Sequence, residues 1–161
     1  MDEGTRREQA EQYFLKAYGA QMAGRLDEAI ALYRKSLECI PTAEAHTFLG
    51  WTYSFKGDYD AAIRECRLAI EVDPDFGNPY NDIGSYLIKL GRHAEAIPWL
   101  RQAMAAKRYE PRHYPHVNLA RVYVRQQKIQ EAIGELKHAL GLEPGYQPAR
   151  AELHRLLGLL N

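Results

Sequence analysis

The chain of 161 residues has few cysteines and no long apolar stretch. Its two cysteines, Cys39 and Cys66, show no CxxC spacing and no cluster with histidine, which disfavours a zinc site and fits a reducing compartment. No run approaches the roughly 18 apolar residues of a membrane-spanning helix, and the charged start of the chain does not resemble a secretory signal. These absences make a cytoplasmic location without membrane contact the default expectation.

The sequence also lacks the short motifs that accompany catalysis. It contains no P-loop, no GxGxxG or GxSxG turn, no HExxH helix and no EF-hand loop. His113 and His116, three residues apart, could together hold a metal, but two histidines at this spacing are a weak signal. We therefore expect no enzyme activity, no cofactor and no metal site.

An excess of charge of one sign is missing as well, because 21 Lys and Arg residues balance 21 Asp and Glu residues. A nucleic-acid-binding protein that depends on a strong positive field is therefore disfavoured. The balance hides an asymmetry: residues 1–100 carry 11 basic and 16 acidic residues, and residues 101–161 carry 10 and 5. This is either drift in surface charge or a basic end that meets an acidic partner or the acidic end of a second copy.

What the sequence does contain is a pattern that occurs four times. Its copies are Gly24–Ile30, Gly57–Ile63, Gly91–Ile97 and Gln127–Ile133. Their central alanines, separated by 33, 34 and 36 residues, are Ala29, Ala62, Ala96 and Ala132. The small residues that stand twelve positions before and seven positions after these alanines are Ala17, Gly50, Gly84, Ala120, Ser36, Ala69, Ala103 and Ala139. Prolines follow three of the four copies, at Pro41, Pro74 and Pro144.

This pattern resembles the tetratricopeptide repeat family, whose unit is a helix–turn–helix of about 34 residues. The resemblance covers about residues 10–146 and implies an all-α fold, a right-handed solenoid in a single domain over residues 1–161. The repeats implied are about 10–42, 43–76, 77–112 and 113–146, followed by a capping helix over about 148–160. In this family, the first helices of successive repeats line a concave groove that binds partners.

The small residues have a physical role in such a unit. Two helices can cross closely only where both lack bulk, so each helix supplies a Gly or an Ala at the crossing. Large apolar residues beside these positions are then expected to fill the core. They are Leu49, Ile83 and Leu119 on the first helices, and Tyr33, Leu100 and Leu136 on the second helices.

Several segments depart from the regular repeat. Residues Thr5–Glu8 read as a capping box that starts the first helix, and Pro98 falls inside the second helix of the third repeat. Residues 107–115 form a loop two residues longer than the standard one. In the capping helix, an apolar stripe is expected to pack against the last repeat, at Leu153, Leu156, Leu157 and Leu160. The alternative to a purely capping role is that Leu159 and Leu160 make a contact between two copies of the chain.

The resemblance assigns ten residues to the groove. They are Phe14, Tyr18, Phe48, Trp51, Phe55, Asn81, Ser85, Asn118, Arg121 and Arg125. The aromatic residues are expected to anchor a peptide or helix, and the arginines and asparagines to orient its polar or acidic end. The alternative is that Phe48 and Phe55 pack between adjacent repeats or under the N-terminal helix.

One known mode of binding in the family is disfavoured by the residues. Some members hold the C-terminal carboxylate of chaperones with a clamp of Lys, Asn, Asn, Lys and Arg. The first three repeats have Phe14, Tyr18, Phe48, Asn78 and Asp82 at those positions, and the last three have Thr47, Trp51, Asp82, Tyr114 and Asn118. Neither set matches the clamp.

The sequence thus predicts a protein–protein interaction scaffold or adaptor that binds a peptide or helix of a partner protein. The alternative is a self-assembly module, a homo-oligomer within a larger complex. Neither interpretation involves nucleic acid, a membrane or a cofactor.

Overall fold

The computed structural model describes residues 1–161 and consists of nine α-helices joined by short connections. The helices are α1 (Glu3–Met22), α2 (Leu26–Cys39), α3 (Ala43–Phe55), α4 (Tyr59–Val72), α5 (Asn78–Lys89), α6 (His93–Ala105), α7 (Tyr114–Arg125), α8 (Ile129–Leu142) and α9 (Gln147–Gly158). None of them is both long and apolar enough to cross a bilayer. The all-α class predicted from the sequence is therefore confirmed.

The helices form four pairs, and within each pair a three-residue turn reverses the chain. Three of these turns place a glycine in the left-handed region, with φ of +79° at Gly24, +76° at Gly57 and +78° at Gly91. The fourth turn uses Gln127, at φ +60°, in the same place. A residue with a Cβ adopts this conformation at a cost, so the fourth turn is the least relaxed of the four.

The stack is curved because its first helices lie closer together than its second helices. Each helix packs on its neighbours in the chain, and the first helices α1, α3, α5 and α7 also contact one another in succession. The second helices of successive pairs have no comparable contact. The first helices are therefore closer together and line the concave face, whereas the second helices lie on the convex face.

The small residues stand where the helices of a pair cross, as the repeat pattern predicts. Ala29, Ala62, Ala96 and Ala132 are fully buried. A Cβ added to Gly50 would lie 2.9 Å from the carbonyl oxygen of Ala62, and one added to Gly84 would lie 2.5 Å from Cδ2 of Leu100. The expected large residues fill the core beside these crossings, and none is more than 2% exposed. They are Tyr33, Leu49, Ile83, Leu100, Leu119 and Leu136.

The first helix begins earlier than the sequence indicates. The expected capping box at Thr5 is wrong, because α1 already starts at Glu3. The N-cap is Asp2, whose Oδ1 accepts a hydrogen bond of 2.8 Å from the backbone N–H of Thr5. A carboxylate at this position satisfies one of the free amides of the first turn and interacts favourably with the helix dipole.

The last helix buries less of its apolar surface than the stripe of leucines predicts. Ala149 and Leu156 are fully buried against α7 and α8, and Leu153 is partly buried. Leu157 and Leu160 are 41% and 49% exposed, so the expectation that they pack on the last repeat is wrong. The reason is that α9 has a neighbour on one side only, and this neighbour covers a narrow part of its circumference.

The long connection between α6 and α7 folds back over the connection between α4 and α5. The backbone N–H of Gly77 donates to the carbonyl of Arg108 (2.8 Å), and the N–H of Arg108 donates to the carbonyl of Asp75 (3.0 Å). The Tyr109 ring is buried over Gly77, where a Cβ would lie 2.5 Å from Cβ of Tyr109. The Glu110–Pro111 peptide bond is cis. This ordered connection forms one rim of the concave face.

Candidate protein-binding groove

The N-terminal half of the concave face carries a continuous strip of aromatic rings from α1 and α3. Tyr18 and Phe48 lie with their ring centroids 5.8 Å apart, Phe48 and Trp51 5.7 Å apart, and Trp51 and Phe55 5.0 Å apart. These side chains share a face because Phe48, Trp51 and Phe55 are three and four residues apart on one helix. We call Tyr18, Phe48, Trp51 and Phe55 the aromatic strip.

The strip is apolar surface that the fold leaves uncovered at its two ends. Phe55 is 50% exposed and Tyr18 is 42% exposed. Phe48 is partly buried because it also contacts Phe14, at 5.2 Å between ring centroids, beside the core around Tyr33. Phe48 therefore packs in part between the first and second repeats, as the alternative interpretation predicts. Phe55 does not, since half of it remains open to solvent.

A polar ladder crosses the middle of the concave face between α5 and α7. The side-chain amide of Asn118 donates to Oδ1 of Asn81 (2.9 Å), and Nη1 of Arg121 donates to Oδ1 of Asn118 (2.9 Å). Asn81 and Asn118 are only 7% and 6% exposed. The two asparagines, which we expected to contact a partner directly, thus hold Arg121 in place, and Arg121 remains exposed.

A cavity of about 300 Å³ opens between the aromatic strip and the connection that follows α6. We call it the central cavity. Its walls come from α3, α5, α7 and this connection, and its lining residues are Thr47, Phe48, Trp51, Asn78, Asn81, Asp82, Tyr109, Pro111 and Tyr114. Four aromatic rings and one carboxylate therefore face the same space.

The carboxyl group of Asp82 is in an unfavourable position for a charge. Burial raises the pKa of Asp82 to about 7, and a hydrogen bond from Asn81 opposes this shift. The carboxyl in turn raises the pKa of Cys66 and of Tyr86, both of which are raised mainly by their own burial. None of the ion pairs in the structure includes Asp82. It is a carboxylate that lacks a compensating cation.

The C-terminal half of the concave face has the opposite character. A shallow cavity of about 500 Å³ is lined by residues of α5, the α5–α6 turn, α6, α7 and α9: Ile88, Lys89, Gly91, His93, Arg121, Val124, Arg125 and Glu152. We call it the basic cavity. Three cations face one carboxylate here, and Glu152 also pairs with Arg155 at 2.6 Å. This end is suited to an acidic or polar group.

The ten residues assigned to the groove all lie on the first helices, but their exposure differs. Tyr18, Phe55, Arg121 and Arg125 are exposed, Phe14, Phe48, Trp51 and Ser85 are partly buried, and Asn81 and Asn118 are buried. Tyr109, Pro111 and Tyr114 complete the central cavity. Of these three, the sequence pattern places only Tyr114 at a groove position, as a clamp position that does not match. The sequence shows that the connection between α6 and α7 is longer than usual. It does not show which residues of the connection between α4 and α5 this segment pairs with.

The histidines that could share a metal are not brought together. The ring of His113 lies against Tyr146, at 4.6 Å between centroids, whereas Nδ1 of His116 lies 2.7 Å from Oε2 of Glu135. His46 makes the equivalent contact with Glu65, also at 2.7 Å. These two His–Glu contacts link the first and second helices of their pairs and serve packing.

A stack of helix pairs with a grooved concave face is an α-helical repeat solenoid. Residues 43–76 and residues 75–142 each match a family model described as tetratricopeptide repeat. The chain belongs to the tetratricopeptide repeat family. Members of this family generally mediate protein–protein interactions and are typically not enzymes.

The chain is similar in sequence to parts of several longer proteins. Protein O-mannosyl-transferase Tmtc1 of Drosophila melanogaster is 32% identical over 118 residues, which cover 69% of this chain and 14% of that protein. The chain spans at most 24% of the length of the curated relatives it matches. The repeats are thus similar to parts of much longer proteins.

Two solved structures illustrate the fold. The structure of pilF from Pseudomonas aeruginosa has a TM-score of 0.88 and 26% identity, and the match covers 95% of this chain and 69% of that one. The first repeat domain of Spaghetti (RPAP3), solved with the HSP90 peptide SRMEEVD, has a TM-score of 0.67 and 24% identity, and the match covers 74% of this chain and 93% of that one. At 24% identity, the similarity to the Spaghetti domain shows a shared fold and nothing more.

Proposed function

We propose that this chain is an adaptor that binds a peptide or helix of another protein along its concave face. The observation that supports this most directly is the aromatic strip, which leaves large apolar side chains open to solvent on the face where repeat solenoids of this kind present their groove. The proposed role requires no catalytic step, in keeping with the family.

The strip supplies enough binding energy to anchor a segment. An aromatic side chain has about 150–250 Å² of surface, so covering the open half of Phe55 or Tyr18 removes about 100 Å² from water. At about 25 cal/mol per Å², each ring contributes about 2.5 kcal/mol. Hence the strip holds the apolar part of the partner, and the basic cavity at the other end orients an acidic or polar group through Arg121 and Arg125.

On this proposal, the partner differs from the HSP90 peptide SRMEEVD that is bound to the Spaghetti (RPAP3) domain. At the clamp positions of its first three repeats, this chain has three aromatic residues, Asn78 and Asp82. Asp82 would repel an acidic peptide in the middle of the groove. The groove is therefore suited to a segment whose apolar side chains lie on α1 and α3.

The test is capture followed by a quantitative binding measurement. Proteins from the source cells are captured on the full chain, and the segment of the captured protein that binds is then titrated by calorimetry. Trp51→Ala removes the centre of the strip and is expected to weaken binding about 30-fold or more, as for a central aromatic anchor. Leu68→Ala, which removes an exposed apolar side chain on the convex helix α4, is the matched control and is expected to change nothing.

The outcome that contradicts the proposal is equally clear. If Trp51→Ala retains its helicity and melting temperature and binds the same segment with unchanged affinity, the concave face is not the binding surface.

The second candidate function, self-assembly, is favoured by one observation. Leu157 near the end of α9, and Leu159 and Leu160 directly after it, are 41%, 61% and 49% exposed. Sedimentation velocity over a range of concentrations tests it. A monomer throughout removes this candidate, and a dimer that Leu157→Ser and Leu160→Ser dissociate replaces the adaptor proposal with self-assembly.

A further inference from the structure

We propose that the central cavity receives the side chain of a lysine or arginine of the partner segment. The inference rests on the groove-binding function proposed above and specifies the chemistry of its partner. It reverses the preference of a carboxylate clamp, since the middle of this groove would select a cation and not an anion.

The size and shape of the cavity suit one long side chain. Its volume of about 300 Å³ is at the lower limit of small-molecule sites, too small for most cofactors. It opens on the concave face directly beside Trp51, so a segment lying on the aromatic strip could extend one residue into it. The stem of a lysine or arginine would pack against apolar walls and carry its charge to the floor.

The walls are aromatic, which favours a cation over a neutral group. Phe48 and Trp51 from α3 line the cavity together with Tyr109 from the connection and Tyr114 from the start of α7. The faces of aromatic rings attract ammonium and guanidinium groups, by about 0.5–2 kcal/mol depending on how far water is excluded. Anions gain nothing from these faces.

Asp82, which lines the central cavity, supplies a negative charge opposite to that of a lysine or arginine. Asp82 has no ion-pair partner, whereas the acidic residues near the rim are already neutralised by Arg108, which binds both Asp73 and Glu44. Arg108 also lies over the ring of Phe76, 4.6 Å from its centroid, and so is held at the rim. The central cavity therefore contains an acidic group without a paired cation, and an incoming lysine or arginine would supply one. Burial raises the pKa of Asp82, and no neighbouring cation offsets this effect.

The charges along the groove also give the bound segment a direction. From α1 to α9, the concave face presents apolar rings, then one carboxylate, then three cations in the basic cavity. A complementary segment has apolar residues, then a lysine or arginine, then an acidic residue. A segment in the reverse direction would place its acidic residue against the strip and gain less.

The experiment is a selection from a phage-displayed random peptide library, carried out on the full chain. The targets are the wild type, Asp82→Asn, Trp51→Ala and the control Glu71→Gln. Asp82→Asn removes one negative charge inside the cavity without changing its shape. Glu71→Gln removes one negative charge from an exposed position on the convex helix α4. Selected peptides are then synthesised and titrated by calorimetry, each also with its basic residue replaced by norleucine.

The expected result is that wild type and Glu71→Gln select peptides with a lysine or arginine at one fixed position beside apolar residues. Selection on Asp82→Asn is expected to keep the apolar positions and lose the basic one. The norleucine exchange should weaken binding to wild type about tenfold or more and leave binding to Asp82→Asn almost unchanged, since it removes a charge-assisted interaction.

Two other results have separate meanings. Peptides that require Trp51 but show no basic preference, or whose preference survives Asp82→Asn, would overturn this inference and leave groove binding intact. If no peptides are enriched, or if those selected bind Trp51→Ala equally well, the groove-binding function fails and this inference fails with it.

Discussion

The charge of Asp82 should destabilise the fold, and its replacement by asparagine should show how much. Burial raises the pKa of Asp82 from 3.8 to about 7, a change of about three units. At about 1.4 kcal/mol per unit, the upper limit for the cost of the charge is about 4 kcal/mol. Because Asp82 is partly open to solvent, we expect about half of this, so Asp82→Asn should stabilise the chain by about 2 kcal/mol above neutral pH.

The sign of the pH dependence follows from the direction of the shift. Below about pH 4, Asp82 is protonated in both the folded and the unfolded chain, so its charge costs nothing. Between about pH 4 and 7, the unfolded chain releases the proton that the folded chain retains, and wild type loses stability relative to Asp82→Asn as pH rises. Above about pH 7, the difference stays constant. The neighbouring groups Cys66, Tyr86 and Tyr109 have raised pKa values and remain neutral over this range.

Urea denaturation followed by circular dichroism, at about pH 3 and about pH 8, measures this difference, because Asp82 is protonated in both the folded and the unfolded chain only at the lower of these values. The free energies of unfolding of wild type and Asp82→Asn should agree at the lower pH and differ at the higher one. Glu71→Gln is the control and should follow wild type at both. A difference that does not change with pH, or an Asp82→Asn variant less stable than wild type at pH 8, would refute the reasoning.

Two further predictions concern the packing of the repeats. Gly50→Ala should destabilise the chain by about 1–3 kcal/mol, because its Cβ meets the carbonyl of Ala62, whereas Gly134→Ala, with open space around it in α8, should stabilise it by about 0.5–1 kcal/mol. Thermal melting of the two variants compares them; equal melting temperatures would contradict the account of the crossing. Asn118→Ala should cost about 1–3 kcal/mol in urea denaturation, since it leaves Oδ1 of Asn81 buried without its donor, and an unchanged midpoint would show that water replaces it.

The periodic part of the fold was predictable because its cause is local and repeated. A small residue at each crossing and a large one beside it recur at nearly constant spacing, so the positions of Ala62 and Leu100 in the core follow from the sequence. The start of α1 was placed too late, because Asp2 and Thr5 are both good N-caps and the sequence does not rank them. The exposure of Leu157 was missed because a stripe of leucines shows which face is apolar but not how much a neighbour covers.

The aromatic part of the candidate site could be located by register alone, since residues three and four apart on a helix share a face. The central cavity could not. It depends on Tyr109 and Pro111, which reach the groove through backbone hydrogen bonds between two connections more than 30 residues apart in sequence, and no periodicity encodes such a pairing. The state of Asp82 depends in turn on this wall, because the wall removes the water that would otherwise solvate the carboxylate.

The side chain of Arg108 strengthens the contact between the second and third pairs of the stack. In a solenoid, each pair contacts only its neighbours, so unfolding can begin at an end and proceed pair by pair. Arg108 reaches across 64 residues to Glu44 at the start of α3 and also binds Asp73 after α4, while its backbone pairs with the strand-like stretch around Phe76. These contacts add to the packing of α4 on α5, so we expect the second and third pairs to unfold together. We expect the first pair and α9 to detach first, whereas α7 of the fourth pair must stay in place for the central cavity to keep all of its walls.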